Sequence, residues 1–377
     1  MTTKHRSCRA CGAMWLACLA LPACVAARAD VVHALGGRLE GRVRCRAERL
    51  EVGGKAVGWG DLLFFVRDVE RRGAGTLATV RLKRGEAWRV EALGLAGSAL
   101  KVRFPLFGER RVELAQLASL DIVPDLPPPT GLRPLTLYRE QGEPIPGKLL
   151  WLDRARLGID SPLGVLEVPR RSALRYVLAH APAPSPQAAD DEVGLLDGTV
   201  LRGRLKPVHS GLELEHPLLG RLALPAAAVR SVLRHRPGVV YLAEAEPRAV
   251  EASPLVAAGE PPHTVVYPRA DGGAPWLKGV RVAPTTALRY RLPPNAGKKR
   301  VFRAALAPLA GGRGDVRLRV AAGGRALLEK ELSPGGEWPA VSVEVPAGDE
   351  LIVEVSFGTR LRFPCGLTLC DPHLVVR

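Results

Sequence analysis

Few residues in this chain lie in a pattern that could do chemistry. No Gly-x-Ser-x-Gly elbow, phosphate-binding loop, Gly-x-Gly-x-x-Gly turn or His-Glu-x-x-His motif occurs. The eight histidines are scattered, and no two of them stand at the spacing of metal ligands. The two acids of a glycosidase need only meet in space, so the sequence alone does not test for them. The pattern predicts no catalytic residue, no metal site, no cofactor and a protein that is not an enzyme.

Two short polar clusters have more than one interpretation. Asp190-Asp191-Glu192 could supply carboxylates to calcium, but an acidic stretch beside a proline-rich segment is also typical of a solvated linker end. Arg313-Gly314-Asp315 spells a cell-adhesion tripeptide, which we interpret as a chance match. We therefore assign neither cluster as a site.

Cysteine chemistry is confined to the two ends of the chain. Four of the seven cysteines fall within the first 29 residues. Cys365 and Cys370 are near enough in sequence to close a small disulfide loop in an oxidising compartment, and they could equally be two separate thiols. Cys45 is then an odd thiol that we expect to pack in a strand.

The net charge of +16 raises the question of nucleic-acid binding. Arginine supplies 44 of the 54 basic residues, and most arginines alternate with apolar residues, as in residues 316–320. The basic run Lys298-Lys299-Arg300 is short, whereas a nucleic-acid interface needs clustered charge. The distribution predicts no nucleic-acid partner and favours arginines on the solvent faces of strands.

Residues 1–29 have the three parts of a secretory signal peptide. Lys4, Arg6 and Arg9 form the charged start, an apolar stretch follows, and Ala27-Arg28-Ala29 precedes a cleavage point before Asp30. A competing interpretation is a lipoprotein anchored through Cys24, because residues 21–24 resemble a bacterial lipobox. No later stretch is long and apolar enough to span a membrane. The leader predicts a secreted, periplasmic or cell-envelope protein.

The rest of the chain carries a repeated β pattern. Pro105, Pro162 and Pro217 each stand in a Pro-Leu turn between alternating stretches, 57 and 55 residues apart. We predict an all-β protein with tandem small β-barrel-like repeats and a C-terminal jelly-roll-like β-sandwich. The expected segments are two small modules in 30–123, a third in 132–179, a Pro/Ala linker in 180–192, a fourth module in 193–236, a second linker in 237–262 and the sandwich in 263–377.

Two resemblances follow from these patterns. The turns and alternation of the modules are similar to SH3-like or Sm-like barrel repeats of bacterial envelope proteins. From Trp276 to Leu374 the order and spacing of short motifs resemble the NPCBM family of carbohydrate-binding modules. The matching motifs are Lys278-Gly279, Pro284 and Tyr290, then residues 301–304, 316–320, 340–345, 350–355 and 370–374. The chain departs from the family at Gly323-Gly324 and in the stretch 365–370.

The NPCBM resemblance implies sugar binding by an aromatic face with polar groups around it. The candidate ligand-binding residues are Trp276, Lys278, Tyr290, Trp338 and Asp371. Trp276 and Tyr290 could instead fill the core, and Asp371 could cap the turn before Pro372. Trp338 lies in a turn between strands, where an aromatic ring can be exposed.

The sequence thus favours an exported, non-catalytic protein that binds carbohydrate, either a polysaccharide or an envelope glycoconjugate, through its C-terminal sandwich. The alternative is a structural or scaffolding cell-envelope protein that binds other proteins. The first interpretation comes from the motifs of the sandwich, and the second comes from the repeat.

Overall fold

The structure is a computed structural model. It describes residues 29–46, 49–68, 77–123, 126, 131–179, 190–208, 211–252, 262–266, 276–294, 297–309, 311–336 and 338–377. The expected leader, with Cys24, and most of the 180–192 linker lie outside these residues. The regular structure of the described residues is β-strand with three short 3-10 helices, which confirms the all-β prediction. Within them, no helix has the length and hydrophobicity that crossing a bilayer requires.

The first two modules contain eleven strands. Module 1 consists of β1 (Val31–Ala34), β2 (Gly37–Glu40), β3 (Val43–Cys45), β4 (Arg49–Val52), β5 (Lys55–Gly58) and β6 (Leu62–Val66). Module 2 consists of β7 (Ala78–Leu82), β8 (Ala87–Ala96), β9 (Ala99–Phe104), β10 (Gly108–Glu113), a 3-10 helix (Leu114–Gln116) and β11 (Leu117–Asp121).

The next two modules repeat this arrangement. Module 3 consists of β12 (Thr136–Arg139), β13 (Ile145–Pro146), β14 (Lys148–Leu152), β15 (Arg156–Ser161), β16 (Gly164–Pro169), a 3-10 helix (Arg170–Ser172) and β17 (Ala173–Val177). Module 4 consists of β18 (Asp191–Leu195), β19 (Val200–Val208), β20 (Gly211–His216), β21 (Gly220–Pro225), a 3-10 helix (Ala226–Ala228) and β22 (Val229–Leu233).

Each module closes on itself by pairing its first strand with its last. The pairs are β1–β6, β7–β11, β12–β17 and β18–β22, all antiparallel. The second half of the repeat is strictly periodic, since β11, β17 and β22 start at Leu117, Ala173 and Val229, 56 residues apart each time. The predicted Pro-Leu turns connect the two strands of the hairpin before each 3-10 helix.

A glycine marks the bend that folds modules 3 and 4 back on themselves. Gly147 and Gly203 are 56 residues apart, and a Cβ on either would lie 2.3 Å from a backbone carbonyl oxygen, of Asp160 and Glu215 respectively. Because a Cβ cannot approach so closely, the tight bend depends on glycine at both positions.

The last strands also join the modules in pairs. β11 pairs with β17, and β6 pairs with β22. The register is the same in both pairs, because Leu120 faces Tyr176 and Val232 faces Phe65, each at the fourth residue of its strand. Modules 2 and 3 therefore form one pseudo-symmetric pair, and modules 1 and 4 form the other. A contact between β8 and β19 joins the pairs into one continuous sheet.

The same hydrogen bond recurs at all four strand ends. The N–H just after each last strand donates to a carbonyl in the partner strand, over 2.7 to 2.8 Å. The four bonds run from Arg67 to Arg230, from Arg234 to Leu63, from Ile122 to Leu174 and from Leu178 to Ala118. The backbone hydrogen bond that ends each strand pairing is thus the same in all four places, although the side chains there differ.

The C-terminal region is a sandwich of two antiparallel sheets around one core. The first sheet contains β23 (Val239–Tyr241), β25 (His263–Val266), β26 (Gly279–Val282), β28 (Arg300–Pro308), β31 (Val341–Val345) and β33 (Leu367–Val376). The second contains β24 (Ala249–Ala252), β27 (Thr286–Arg291), β29 (Val316–Ala322), β30 (Arg325–Leu332) and β32 (Glu350–Phe357). Alternating residues such as Phe302 and Leu318 fill the space between them.

The prolines of the segment 237–262 predict a linker, but in the structure this segment contributes two strands to the sandwich. β23 pairs with β33 and β24 pairs with β27. The partner of β23 lies more than 130 residues later and is not visible in the local sequence. The sandwich therefore begins within six residues of the end of β22.

The sandwich packs against the module 1–module 4 pair through a small apolar cluster. Its members are Leu63, Phe64, Val66, Leu233, Tyr241 and Val375. The hydroxyl of Tyr241 donates to the carbonyls of Leu63 and Arg234, which ties β23 to both modules. The four modules, which we call the array, and the sandwich thus share a buried junction.

Candidate functional site

Several loops meet at one end of the sandwich, and we call this region the loop end: residues 309–315, 333–340 and 358–366 as far as they are described. The backbone amide of Arg313 donates to Pro364 over 2.8 Å, and the amide of Asp315 donates to Arg360 over 3.0 Å. These bonds hold the β28–β29 loop against the β32–β33 loop. The loop end is where the sandwich can present side chains that its strands do not bury.

An ion pair between a buried carboxylate and an exposed guanidinium shapes the loop end. Arg360 donates from Nε and Nη2 to the two carboxylate oxygens of Asp315, each over 2.9 Å. The Asp315 side chain is 5% exposed whereas that of Arg360 is 61% exposed. The hydrogen bond from Arg360 lowers the pKa of Asp315 to about 2, and Ser333 contributes in the same direction. The carboxylate therefore stays charged and keeps the two loops together at neutral pH.

Apolar side chains project from this end into solvent. Phe363 is 64% exposed and Leu361 is 60% exposed. The ring of Phe363 lies edge-on to Phe357, with centroids 5.6 Å apart. A largely exposed aromatic ring can stack on a flat apolar surface.

Of the residues predicted from the sequence, Trp338 lies at the loop end. Its indole N–H donates to the carbonyl of Ser333 over 2.8 Å, and its ring packs against the sandwich core. The ring is half-buried, so part of it faces solvent. Trp338 is therefore held against the sandwich through Ser333, a residue whose side chain also bonds to Asp315.

Lys278 and Asp371 lie elsewhere, at the junction with module 4. Asp371 is 9% exposed, and its carboxylate accepts the N–H groups of Leu277 and Lys278 over 2.8 and 2.9 Å. Burial raises the pKa of Asp371 to about 7, against the effect of those two hydrogen bonds. The carboxylate is occupied in holding β26 beside β33.

The amine of Lys278 is part of a buried ionic network. It donates to Glu192 over 2.8 Å and also to Glu244, and Arg202 donates to the same oxygen of Glu192 over 2.7 Å. Burial alone would raise the pKa of Glu192, but Lys278 and Arg202 hold it below the ordinary value. The network joins module 4, the segment after β23 and the sandwich, which is a structural use of Lys278.

Tyr290 lies in the core of the sandwich, where it is 3% exposed on β27. Burial raises the pKa of its hydroxyl. Trp276 is half-buried, and the edge of its ring lies 3.1 Å from where a Cβ on Gly279 would stand. Thus the structure brings Lys278 and Asp371 together. Trp276 precedes the Leu277 amide that bonds to Asp371, and Trp338 and Tyr290 lie apart from this pair.

Cys365 and Cys370 are free thiols, which corrects the disulfide alternative. Cys370 lies within the extended strand β33, and Cys365 lies in the loop before it. Burial raises the pKa of Cys370 to about 12, so its thiol stays protonated.

The residues that sequence analysis missed are Asp315, Arg360, Leu361 and Phe363. Asp315 stands in the tripeptide that we interpreted as a chance match. Leu361 and Phe363 alternate with arginines, which resembles a strand, yet they lie in a loop. Among the described residues, no group of three His, Cys, Asp or Glu side chains could hold a metal ion.

No known family model matches the chain, and no curated protein matches it either. Several solved structures that resemble it are carbohydrate-binding modules. A CBM51 module of Clostridium perfringens GH95, in complex with methyl-galactose, is 14% identical with a TM-score of 0.28 over 36% of this chain and 99% of that one. Tandem CBM51 modules of a Streptococcus pneumoniae family 98 glycoside hydrolase are 10% identical with a TM-score of 0.29 over 64% and 88%.

A third similar structure is the CBM51-2 and INT region of Clostridium perfringens ZmpB in complex with GlcNAc. It is 10% identical with a TM-score of 0.29, and the match spans 47% of this chain but only 43% of that structure. Because these TM-scores are low, the description of the sandwich rests on the strand pairings of this chain and not on the similar structures.

Proposed function

We propose that this chain is an exported, non-catalytic protein that binds carbohydrate through the loop end of its sandwich. The observation that supports this most directly is the exposed ring of Phe363 beside the Asp315–Arg360 pair. A pyranose offers an apolar face to such a ring, and its hydroxyls can bond to guanidinium groups around it. Arg360 and Arg362 are exposed in the same loop.

The experiment is a glycan array and a polysaccharide pull-down with the full chain. Phe363→Ala should weaken binding to any retained glycan about tenfold, which is the effect of losing ~1.4 kcal/mol. Leu163→Ala is the matched control, because Leu163 is 88% exposed on module 3 and far from the sandwich. Absence of any retained glycan with the fold intact, or equal affinity of both variants, would contradict the proposal.

A second candidate function is supported by the repeat. Leu106, Leu163 and Leu218 stand at matching turns of modules 2, 3 and 4 and are 43%, 88% and 37% exposed. Apolar side chains repeated along an array suit contacts with other proteins, as in an envelope scaffold. A photo-crosslinker at position 163 should capture protein if this function holds, and polysaccharide or nothing if it does not.

Export is part of the first proposal and has its own test. The protein recovered from the periplasmic or extracellular fraction should have the mass of a chain that begins at Asp30, or of one that begins at a lipidated Cys24. Recovery of the intact leader from the cytoplasm would contradict it.

A further inference from the structure

A cavity lies between modules 1 and 4. Its volume is about 330 Å³, which is within the range of small-ligand sites. Arg44, Cys45 and Arg46 line one wall, Arg67 another, and Ala226 a third. The cavity thus lies where the two modules of a pair meet.

The lining is positively charged. Three of the residues that surround the cavity are arginines, and none of the described ones is acidic. The nearby carboxylate of Asp30 is already occupied, because its oxygens accept the N–H groups of Val43 and Asp68 over 2.7 and 2.9 Å. Nε of Arg46 lies 3.7 Å from a carboxylate oxygen of Glu51, which makes a loose, solvent-exposed ion pair. The balance favours an anion as occupant.

The arginine at the base of the cavity is held in place by the partner module. Nη1 of Arg67 donates to the carbonyls of Ala226 and Val229 over 3.2 and 3.1 Å. Its Nε is buried and bonds to no group of the described residues. The wall opposite is also fixed, since Trp59 donates from Nε1 to the carbonyl of Arg46 over 2.9 Å. The Arg67 guanidinium and the backbone at Arg46 are therefore held in place before any ligand arrives.

The strand pairing itself does not require arginine at this position. In the pseudo-symmetric pair of modules 2 and 3, Ile122 stands where module 1 has Arg67, and it makes the same backbone hydrogen bond. An apolar residue thus supports the pairing equally well. Arg67 adds a charge and a polar requirement that the fold does not need.

We propose that this cavity binds an oxyanion group, a phosphate, sulfate or carboxylate. Guanidinium groups recognise such planar or tetrahedral oxyanions with paired hydrogen bonds. The group could be a free ion or a substituent of an anionic polymer, and the two sources share this chemistry. The site is separate from the loop end and does not depend on sugar binding there.

The test uses the full chain and isothermal titration at fixed ionic strength. The probes are inorganic phosphate, inorganic sulfate, dextran sulfate, and dextran as the uncharged polymer. We expect saturable binding of at least one anionic probe and none of dextran. Binding of the inorganic ions identifies an ion site, and binding of dextran sulfate alone identifies a polymer site; either supports an oxyanion site.

The variant Arg44→Glu/Arg46→Glu changes two exposed residues of the cavity wall and leaves Arg67 in place. It should weaken binding at least tenfold. The control Arg111→Glu/Arg325→Glu changes the net charge equally at exposed positions on β10 and β30, and should stay within twofold of the natural protein. Equal losses in both variants would show a general charge effect and overturn the proposal.

Cys45 gives a second readout inside the cavity. Burial raises the pKa of its thiol to about 11, with Arg67 acting in the opposite direction. A bound anion should slow its alkylation several-fold at pH 8.5, as measured by peptide mass spectrometry. Absence of both binding heat and protection for every anionic probe, in folded protein, would also overturn the proposal.

Discussion

Arg175 donates two hydrogen bonds to Asp121 across the β11–β17 pair, from Nε over 2.6 Å and from Nη2 over 2.9 Å. Both residues are buried. At the matching positions of the β22–β6 pair stand Ser231 and Val66, which face each other in the same register. The same backbone pairing therefore carries different side chains in the two pairs. Between modules 2 and 3 it carries an ion pair, and in the module 1–module 4 pair it carries part of the apolar surface against which the sandwich packs.

Replacing Asp121 should destabilise the module 2–module 3 pair strongly. Asp121→Ala leaves the guanidinium groups of Arg175 and Arg81 without their carboxylate in a buried setting, which costs about 3–5 kcal/mol. The measurement is the free energy of unfolding from urea titration of the full chain. Glu109→Ala removes an exposed pair with Arg103 that solvent screens, and should change the free energy of unfolding far less. A similar small loss for both variants would contradict the argument.

Much of the array could be predicted from the sequence, because strands and turns are local. Alternation along residues 99–104 and the turn at Pro105 correctly indicate a hairpin. The pairing of module 2 with module 3, and of 1 with 4, could not be predicted. It depends on backbone hydrogen bonds between strand ends, which Arg67 and Ile122 make alike although their side chains have nothing in common.

The candidate site was predicted less well than the fold. Trp338 was singled out because it lies in a turn, and turns are local. Phe363 was missed because its loop is held by contacts between residues distant in sequence, such as Asp315 and Arg360, which are 45 residues apart. Lys278 was singled out from a motif, but its environment comes from Glu192 in a different module. Such long-range contacts leave no local signal.

Lys278→Met should loosen the sandwich from the array. The variant keeps the apolar stem of the side chain but leaves Glu192 and Glu244 short of a cation in a buried position, so the docked state should lose about 3–5 kcal/mol. Limited proteolysis should then cut the chain between β22 and β24 faster. Lys330→Met, at an exposed position of β30, is the control and should be cut at the natural rate. Equal rates for the two variants would contradict this role.

The two thiols of β33 and its preceding loop should be unreactive in the folded protein. Cys370 is 3% exposed and Cys365 is 8% exposed, and burial raises the pKa of both. Thiol reagents at pH 8 should label Cys45 first, and Cys365 and Cys370 only after denaturation without reductant. Peptide mass spectrometry measures this order. Recovery of a peptide with Cys365 bridged to Cys370 would contradict the free thiols.

His33 should make stability depend on pH. Its ring stacks on Phe64 with centroids 4.2 Å apart and meets His373 edge-on at the junction. Burial lowers the pKa of His33 from 6.5 to about 2, and the charges of His373, Arg38 and Arg303 act in the same direction. The unfolded chain therefore binds a proton below pH 6.5 that the folded chain does not. In that range the free energy of unfolding therefore decreases as the pH is lowered, by about 1.4 kcal/mol per pH unit for this group.

His33→Phe removes that proton and keeps a ring against Phe64. The free energy of unfolding of the variant, relative to the natural protein, should rise by about 2–3 kcal/mol between pH 6.5 and 4.5. Between pH 7.5 and 8.5 the difference should be constant, because the imidazole is neutral in both states. Urea titrations at each pH measure both ranges. Parallel curves from pH 7.5 to 4.5 would mean that His33 is protonated in the folded protein, and that water rather than packed side chains surrounds it at the junction.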